Sequence, residues 1–310
     1  MFDLIIDNVS KSYKDVNAIK NIDFAVKKGE IFGLIGPDGA GKTTLMRLIA
    51  TLLIQDKGNI KVLGFDSVKD FKEIRARLGY MPGKFSLYPD LSVLENLELF
   101  ASIFGTTVKE NYYLIKDIYS QIEAFKDRPA GKLSGGMKQK LALSCALIHK
   151  PDLLLLDEPT TGVDPVSRKE FWDMLHSLNK LGITIFVSTP YMDEAARCDR
   201  VALIQSGEIM KISTPDNLIK NFGEKLYGLR SANKYQTLLD LREFDKISNL
   251  YPTGEFIHFT LKDENDKIID LKEFLENKGS IDIEIIEITP NIEDCFMKEM
   301  LGLSHESILN

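Results

Sequence analysis

The stretch GPDGAGKTT at positions 36–44 constrains this 310-residue chain more than any other. It fits G-x-x-x-x-G-K-[ST], with the β-rich segment IFGLI before it and TTLMRLIATLLI, which has helical spacing, behind it. Glycines let a backbone wrap closely around an anion, and successive N–H groups that end at a helix N-terminus form a nest for phosphate. The loop proper is Gly36, Pro37, Asp38, Gly39, Ala40 and Gly41, and Lys42, Thr43 and Thr44 open the helix. Lys42 is expected to reach the β- and γ-phosphates of a nucleoside triphosphate, and the Thr43 hydroxyl to hold Mg²⁺.

LLLLDEPT at 153–160 supplies a second half. Four consecutive leucines suit a central parallel strand covered on both faces. At its end Asp157 is expected to hold Mg²⁺, and Glu158, pointing differently, to orient and deprotonate an attacking water. These two segments together call for nucleoside triphosphate chemistry with Mg²⁺. Composition excludes several other classes. The net charge of -7 and pI near 5.3 give no footprint for a nucleic-acid partner. No apolar run approaches the roughly 18 residues that span a bilayer, and the segment MFDLIIDNVSKSY lacks the zones of a secretory signal. Cys145, Cys198 and Cys295 form no C-x-x-C pair and read as reduced thiols of a cytosolic protein, and the four histidines show no metal-ligand spacing.

LSGGMKQ at 133–139 opens a helical segment about twenty residues before LLLLDEPT, and in that arrangement the sequence resembles the signature of ABC-type ATPases. The resemblance covers residues 1 to about 220. It implies an α/β fold: a P-loop NTPase core of the ABC ATPase type with a mostly parallel sheet, an antiparallel flank from the N-terminus and a helical subdomain near 85–150. Tyr13 matches the aromatic that stacks on adenine, Asp164 the loop that crosses a dimer interface, and the segment 79–97 the join between core and helical subdomain. In this family two ATPase domains close head-to-tail around two ATPs, so that Ser134, Gly135 and Gly136 would face a partner's γ-phosphate with a hydroxyl and a helix N-terminus. The texts GPDGAGKTT and TTGVDPVSRKEFW are similar to one branch, the ATPase subunits of ABC-2-type, multidrug-like exporters. That branch implies membrane-spanning permease subunits on separate chains and a cytoplasmic place, peripheral on the inner face of the cell membrane.

Two positions depart from the family. Where relatives carry a Gln that contacts Mg²⁺ and the attacking water, this chain reads RLGYMPG, with Gly83. Where they carry a γ-phosphate-sensing His, the text VSTPYMDEA has Pro190, which also suits the first turn of a helix expected to open there. The binding groups survive and the hydrolytic sensors do not, so the site on this chain's own phosphate loop is expected to turn over slowly. An intact signature beside a degenerate site points to a heterodimer with a catalytically complete second ATPase domain, and a homodimer with two slow sites is the competing assembly. A soluble non-transport ABC protein and a nucleotide-sensing regulatory module are the alternative functions.

From about residue 223 to 310 no phosphate-loop features remain. Strand-like LYGLR, FDKISNLYP and EFIHFTLK, a helix in DLKEFLENKG, then IDIEIIEITP and a final helix in NIEDCFMKEML predict a small α+β accessory domain after an ATPase domain at 1–222. The ending ITPNIEDCFMKEML resembles that of the exporters' C-terminal appendage, with an acidic pair before an aromatic.

Overall fold

The computed structural model describes residues 1–84, 86–263 and 268–308, with 302–308 described by their helical backbone alone. Phe85, at the start of the expected helical subdomain, lies outside the described residues. The chain divides into two compact units, Met1–Pro215 and Asp216–Asn310.

In the first unit three segments of LLLLD, IFGLI and TIFVST type are buried at every residue, which is what parallel strands covered on both faces require. They form the centre of a six-stranded sheet. From one edge its order is Glu208–Ser213, Arg200–Gln205, Ile31–Ile35, Thr184–Thr189, Leu153–Asp157 and Leu78–Met81. All neighbours pair in parallel except the edge strand Glu208–Ser213, which returns antiparallel through the turn Ser206–Gly207. Both turn residues have positive φ (50° and 83°), as a two-residue type I′ hairpin demands.

A second, antiparallel sheet runs Val16–Lys27, Phe2–Tyr13, Lys57–Val62, Phe65–Asp66. Its inward residues, Leu4, Ile6, Val9, Ile22 and Phe24 among them, join the helix Lys42–Ile49 and the central strands in one core. Phe24, Phe32 and Phe186 stack there nearly parallel, with centroids 5.2–6.0 Å apart. The helix after the phosphate loop is shorter than TTLMRLIATLLI predicts. It ends at Ile49, Thr51 takes a left-handed φ of 58°, and Leu52 and Ile54 lie exposed.

The segment beyond residue 85 is helical, as expected: Val93–Ile103, Val108–Tyr119 and Gly135–Leu147. The first two begin with capping boxes, Ser92 with Glu95 and Thr107 with Glu110, in which side chain and backbone satisfy each other's orphan groups.

The second unit is a four-stranded antiparallel sheet, Ile247–Thr253, Phe256–Leu261, Leu226–Arg230, Glu284–Ile288, with helices Lys234–Arg242, Ile268–Asn277 and Ile292–Ile308. Leu229, Leu241, Ile257, Phe259, Leu271 and Leu275 form its core. The helix Lys234–Arg242 is missing from the sequence reading. Its hydrophobic residues make no clear stripe, and the signal that remains is Asn233, whose side chain accepts the Gln236 N–H at 3.1 Å as an N-cap. Residues 216–222, placed before the boundary near 222 in the sequence reading, group with this unit. Cys295 Sγ lies 3.4 Å from the Leu218 carbonyl and Lys298 Nζ donates to that of Phe222.

Candidate active site

The phosphate loop hangs between two strand ends. Gly36 N–H donates to the Thr189 carbonyl at 3.3 Å, tying the loop to the neighbouring parallel strand. On the other side the hairpin turn reaches in: Gly207 N–H donates to the Ala40 carbonyl at 3.0 Å, and Lys20 N–H to the Gly207 carbonyl at 2.8 Å. Only glycine suits two of these positions. Gly41 and Gly207 have φ of 106° and 83°, and a Cβ on either would lie 2.5 Å or 2.8 Å from the Ala18 carbonyl oxygen. Asp38 and Gly39 are exposed at the loop's outer edge, whereas Ala40 is buried.

Lys42 is 3% exposed, and its ammonium donates to the carbonyls of Gly36 (2.8 Å) and Pro37 (2.9 Å) and pairs with Glu158 Oε1 at 3.1 Å. Thr43 Oγ1 donates to Asp157 Oδ1 at 3.3 Å. The cleft around these groups has a volume of about 680 Å³. Tyr13, at the end of the first strand and 42% exposed, lines it together with Gly39, Gly41, Lys42, Thr43, Thr44 and Glu158.

Asp157 ends its strand buried, 2% exposed, and Glu158 leaves it in a left-handed conformation, φ 50°. A non-glycine residue held there is strained by about 1–3 kcal/mol, and such strain persists only where the surroundings over-determine it. Here Ser188, paired with Asp157 on the adjacent strand, does so. Its carbonyl and its hydroxyl both accept the Glu158 N–H, at 3.0 Å and 3.1 Å, and the hydroxyl donates to Asp157 Oδ1 at 2.6 Å.

Gly83 lies beside this pair. A Cβ there would stand 3.0 Å from the Asp157 carbonyl oxygen and 3.8 Å from its carboxyl carbon, so the position faces the carboxylate but offers it no polar atom. Pro190 does not open a helix, contrary to the sequence reading. It forms a bend, and the regular segment that follows is 3₁₀, Met192–Arg197, with Tyr191 as its N-cap. The chain turns early because the Tyr191 N–H donates back to Thr189 Oγ1 at 3.1 Å. Beyond it Arg168 stacks on the Tyr191 ring at 4.0 Å and lies 3.5 Å from the buried Glu194, which also accepts from the Thr160 hydroxyl at 2.6 Å.

Ser134, Gly135 and Gly136 are not part of the cleft. Ser134 caps the helix Gly135–Leu147, accepting the Met137 N–H at 3.3 Å, and Ser134 and Gly135 face outward. A Cβ on Gly136 would stand 3.2 Å from Ser167 Oγ, so the signature helix begins against the start of the helix Pro165–Lys180. Asp164 caps that helix through the N–H groups of Val166 and Ser167, and these bonds hold its carboxyl below the usual carboxylate range.

Residues 19–161 match the family model described as ABC transporter. The chain is 35% identical over 302 residues to the Nod factor export ATP-binding protein I of Sinorhizobium fredii, across 94% of this chain and 84% of that protein. The chain belongs to the ABC transporter ATP-binding family. It is also 40% identical over 293 residues to the probable multidrug ABC transporter ATP-binding protein YbhF of Escherichia coli, covering 93% of this chain but only 50% of that relative's length. A third relative is the linearmycin resistance ATP-binding protein LnrL of Bacillus subtilis, 37% identical over 221 residues, with 70% of this chain and 71% of that protein covered. Among solved structures, the dimeric ATP-binding cassette MJ0796 bound to ADP and Pi superposes with a TM-score of 0.62 at 26% identity, covering 68% of this chain and 98% of that one.

The donors of this ABC cassette suit the groups its family implies. Thr43 and Asp157 bring a hydroxyl and a carboxylate oxygen within 3.3 Å, which is the hard-oxygen chemistry Mg²⁺ prefers. Gly39 and Gly41 line the cleft without side chains, which suits close approach of a phosphate chain. Asp15, Val16, Asn17, Ala18, Lys20, Ser206 and Gly207 also line the cleft, and the sequence reading missed all seven. The Ser-Gly pair between VALIQ and EIMKI signals a hairpin, but nothing local says that the hairpin closes on the phosphate loop. Among the described residues no helix is long and apolar enough to cross a membrane.

Proposed function

We propose that this chain is the ATP-binding and ATP-hydrolysing subunit that powers an ABC-type membrane exporter, with permease subunits on separate chains and a place on the inner, cytoplasmic face of the membrane. The observation that carries the reading is the convergence of Lys42, Thr43 and Glu158 on one cleft, with Asp157 bonded to Thr43, while the signature Ser134–Gly136 lies outside it. Exporter relatives that match 94% or 93% of this chain support it further.

In this reading Tyr13 stacks on the adenine, and the loop Gly36–Gly41 wraps the phosphates with its N–H groups. Lys42 releases the carbonyls it now holds and turns its ammonium to the β- and γ-phosphates. Thr43 and Asp157 would hold Mg²⁺, which would supply charge neutralisation for the phosphate groups. Glu158 orients a water and takes its proton, freed from Lys42 once the ammonium faces phosphate. Gly83 and Pro190 supply no polar side-chain atom where relatives have Gln and His, so water and γ-phosphate are held loosely. Losing one group that stabilises a transition state costs about 10²–10³ in rate. The site binds ATP and turns it over slowly.

Ser134, Gly135 and Gly136 then serve the ATP of a second ATPase domain. Because this signature is intact and the chain's own sensors are not, the partner is a different, catalytically complete domain and the pair is a heterodimer. Steady-state Mg²⁺-ATP hydrolysis by the purified chain, with Glu158→Gln as the blank, tests the reading. The expected result is ATP binding with a trace rate that rises when a complete partner is added. An ordinary enzymatic rate, on the order of 1–10 s⁻¹ for the chain alone, overturns the slow site and favours a homodimer.

A further inference from the structure

Ser188 sits in the middle of the parallel sheet, fully buried, between Leu34 on one neighbouring strand and Asp157 on the other. Its sequence context, ITIFVST, gives a small hydroxyl no reason to be there, since every other residue of that strand but the threonines is apolar. The hydroxyl uses both its capacities on the two acidic residues of the cleft. It donates to Asp157 Oδ1 at 2.6 Å, the shortest contact that carboxylate makes, and accepts the Glu158 N–H at 3.1 Å. The second bond falls on a residue whose φ of 50° needs restraint.

We propose that Ser188 is a positioning residue of this site: one hydroxyl orients the Asp157 carboxylate toward the metal and holds the backbone of Glu158 so that its side chain enters the cleft. This rests on the reading of Asp157 as a metal-holding group and Glu158 as the base. Ser188 does not line the cleft. It acts by taking one lone pair of Asp157 Oδ1, so that the remaining ones face Thr43 and the cleft, and by keeping the turn at Glu158 from relaxing. Where position 190 cannot hold the glutamate from outside, Ser188 holds it from within the sheet.

The test is calorimetric titration of ATP into the full chain with Mg²⁺ and again with EDTA, for wild type, Ser188→Ala, Ser188→Thr and Ser188→Cys. The ratio of the two affinities isolates the metal's share. In Ser188→Ala that ratio should fall roughly ten-fold, the scale of one hydrogen bond to an ionised carboxylate, while the affinity in EDTA stays at the wild-type value. Ser188→Thr should restore the ratio, because it keeps the hydroxyl. Ser188→Cys keeps the volume with a weak donor and should lose it, which covers the case in which the alanine variant fails to fold. Single-turnover hydrolysis should follow the same order. The proposal is overturned if Ser188→Ala or Ser188→Cys keeps the wild-type ratio, or if affinity drops equally with and without Mg²⁺, as a purely structural hydroxyl would give. A wild-type chain that shows no Mg²⁺ dependence overturns the reading of Asp157 itself, and that failure is visible without any variant.

Discussion

Asp157 and Asp294, two of the buried aspartates, lie one in each unit and face opposite demands. Asp157 accepts from Ser188 and Thr43, both on Oδ1, and among the described residues no hydrogen bond reaches its Oδ2. Asp294, at the start of the last helix of the second unit, has both oxygens occupied. Oδ1 accepts from the Tyr251 hydroxyl at 3.0 Å and lies 2.7 Å from His258 Nδ1, and Oδ2 accepts the Asn291 N–H at 2.7 Å. Burial alone would raise the Asp294 carboxyl, but His258, the Asn291 N–H and Tyr251 outweigh it and hold the carboxyl below its ordinary value of 3.8. Burial and the nearby Asp294 push the Tyr251 hydroxyl far up, so it keeps the proton it donates. A carboxylate with both oxygens engaged by the protein anchors a helix, and one that keeps an oxygen free beside a hydroxyl has the donor set that the proposed Mg²⁺ role calls for.

The largest expected effect tests the open side. Glu158→Gln should lower single-turnover hydrolysis by about 10²–10⁴, the usual share of a general base, with ATP affinity retained. An unchanged rate would remove Glu158 from the chemistry. Pro190→His, which puts a polar side chain at the position where relatives carry one, should raise the same rate by at least about ten-fold, within the span one stabilising group commands. If turnover does not change, Pro190 is not what slows the site.

A sharper contrast comes from paired substitutions. Asp294→Ala should destabilise the second unit by about 3 kcal/mol in denaturant unfolding, because it leaves His258, Tyr251 and the Asn291 N–H without their shared acceptor. Nucleotide affinity should not move. Asp157→Asn should do the reverse, abolishing the Mg²⁺ dependence of ATP binding at little cost in stability. Equal losses of stability in the two variants would erase the distinction drawn here.

The smallest effect is one of pH. Since the folded-state pKa of Asp294 is depressed, its contribution is complete above the unfolded-state value near 3.8 and is lost as pH falls through the folded one. The unfolded chain takes the proton first on that descent. Acid unfolding of the second unit, followed by hydrogen exchange, should therefore steepen below the ordinary carboxylate range, and Asp294→Asn should flatten that limb.

Much of the cleft was legible in advance because its chemistry is local. GPDGAGKTT and LLLLDEPT each carry their backbone demands within nine residues, and the buried strands announced themselves by unbroken apolar runs. The misreadings have tertiary causes. MDEAAR favours a helix by composition, yet the turn at Tyr191 and the packing of Arg168 and Glu194 leave room for a 3₁₀ segment only. The helix Lys234–Arg242 escaped because its residues show no periodic apolar stripe and its burial is set by the sheet beneath it.

By itself the sequence determined that a phosphate-wrapping loop stands between a strand and a helix and that two acids follow a central strand. Those properties belong to neighbouring residues and need no partner element, whereas the weight given to Gly83 and Pro190 came from the family resemblance. The tertiary structure alone decided that Ser188, 31 residues from Asp157, grips that carboxylate, and that Gly207 closes on Ala18 and Ala40. Parallel pairing joins segments through long crossovers, so which side chain meets which is settled by sheet order and register, and no local run of residues encodes either.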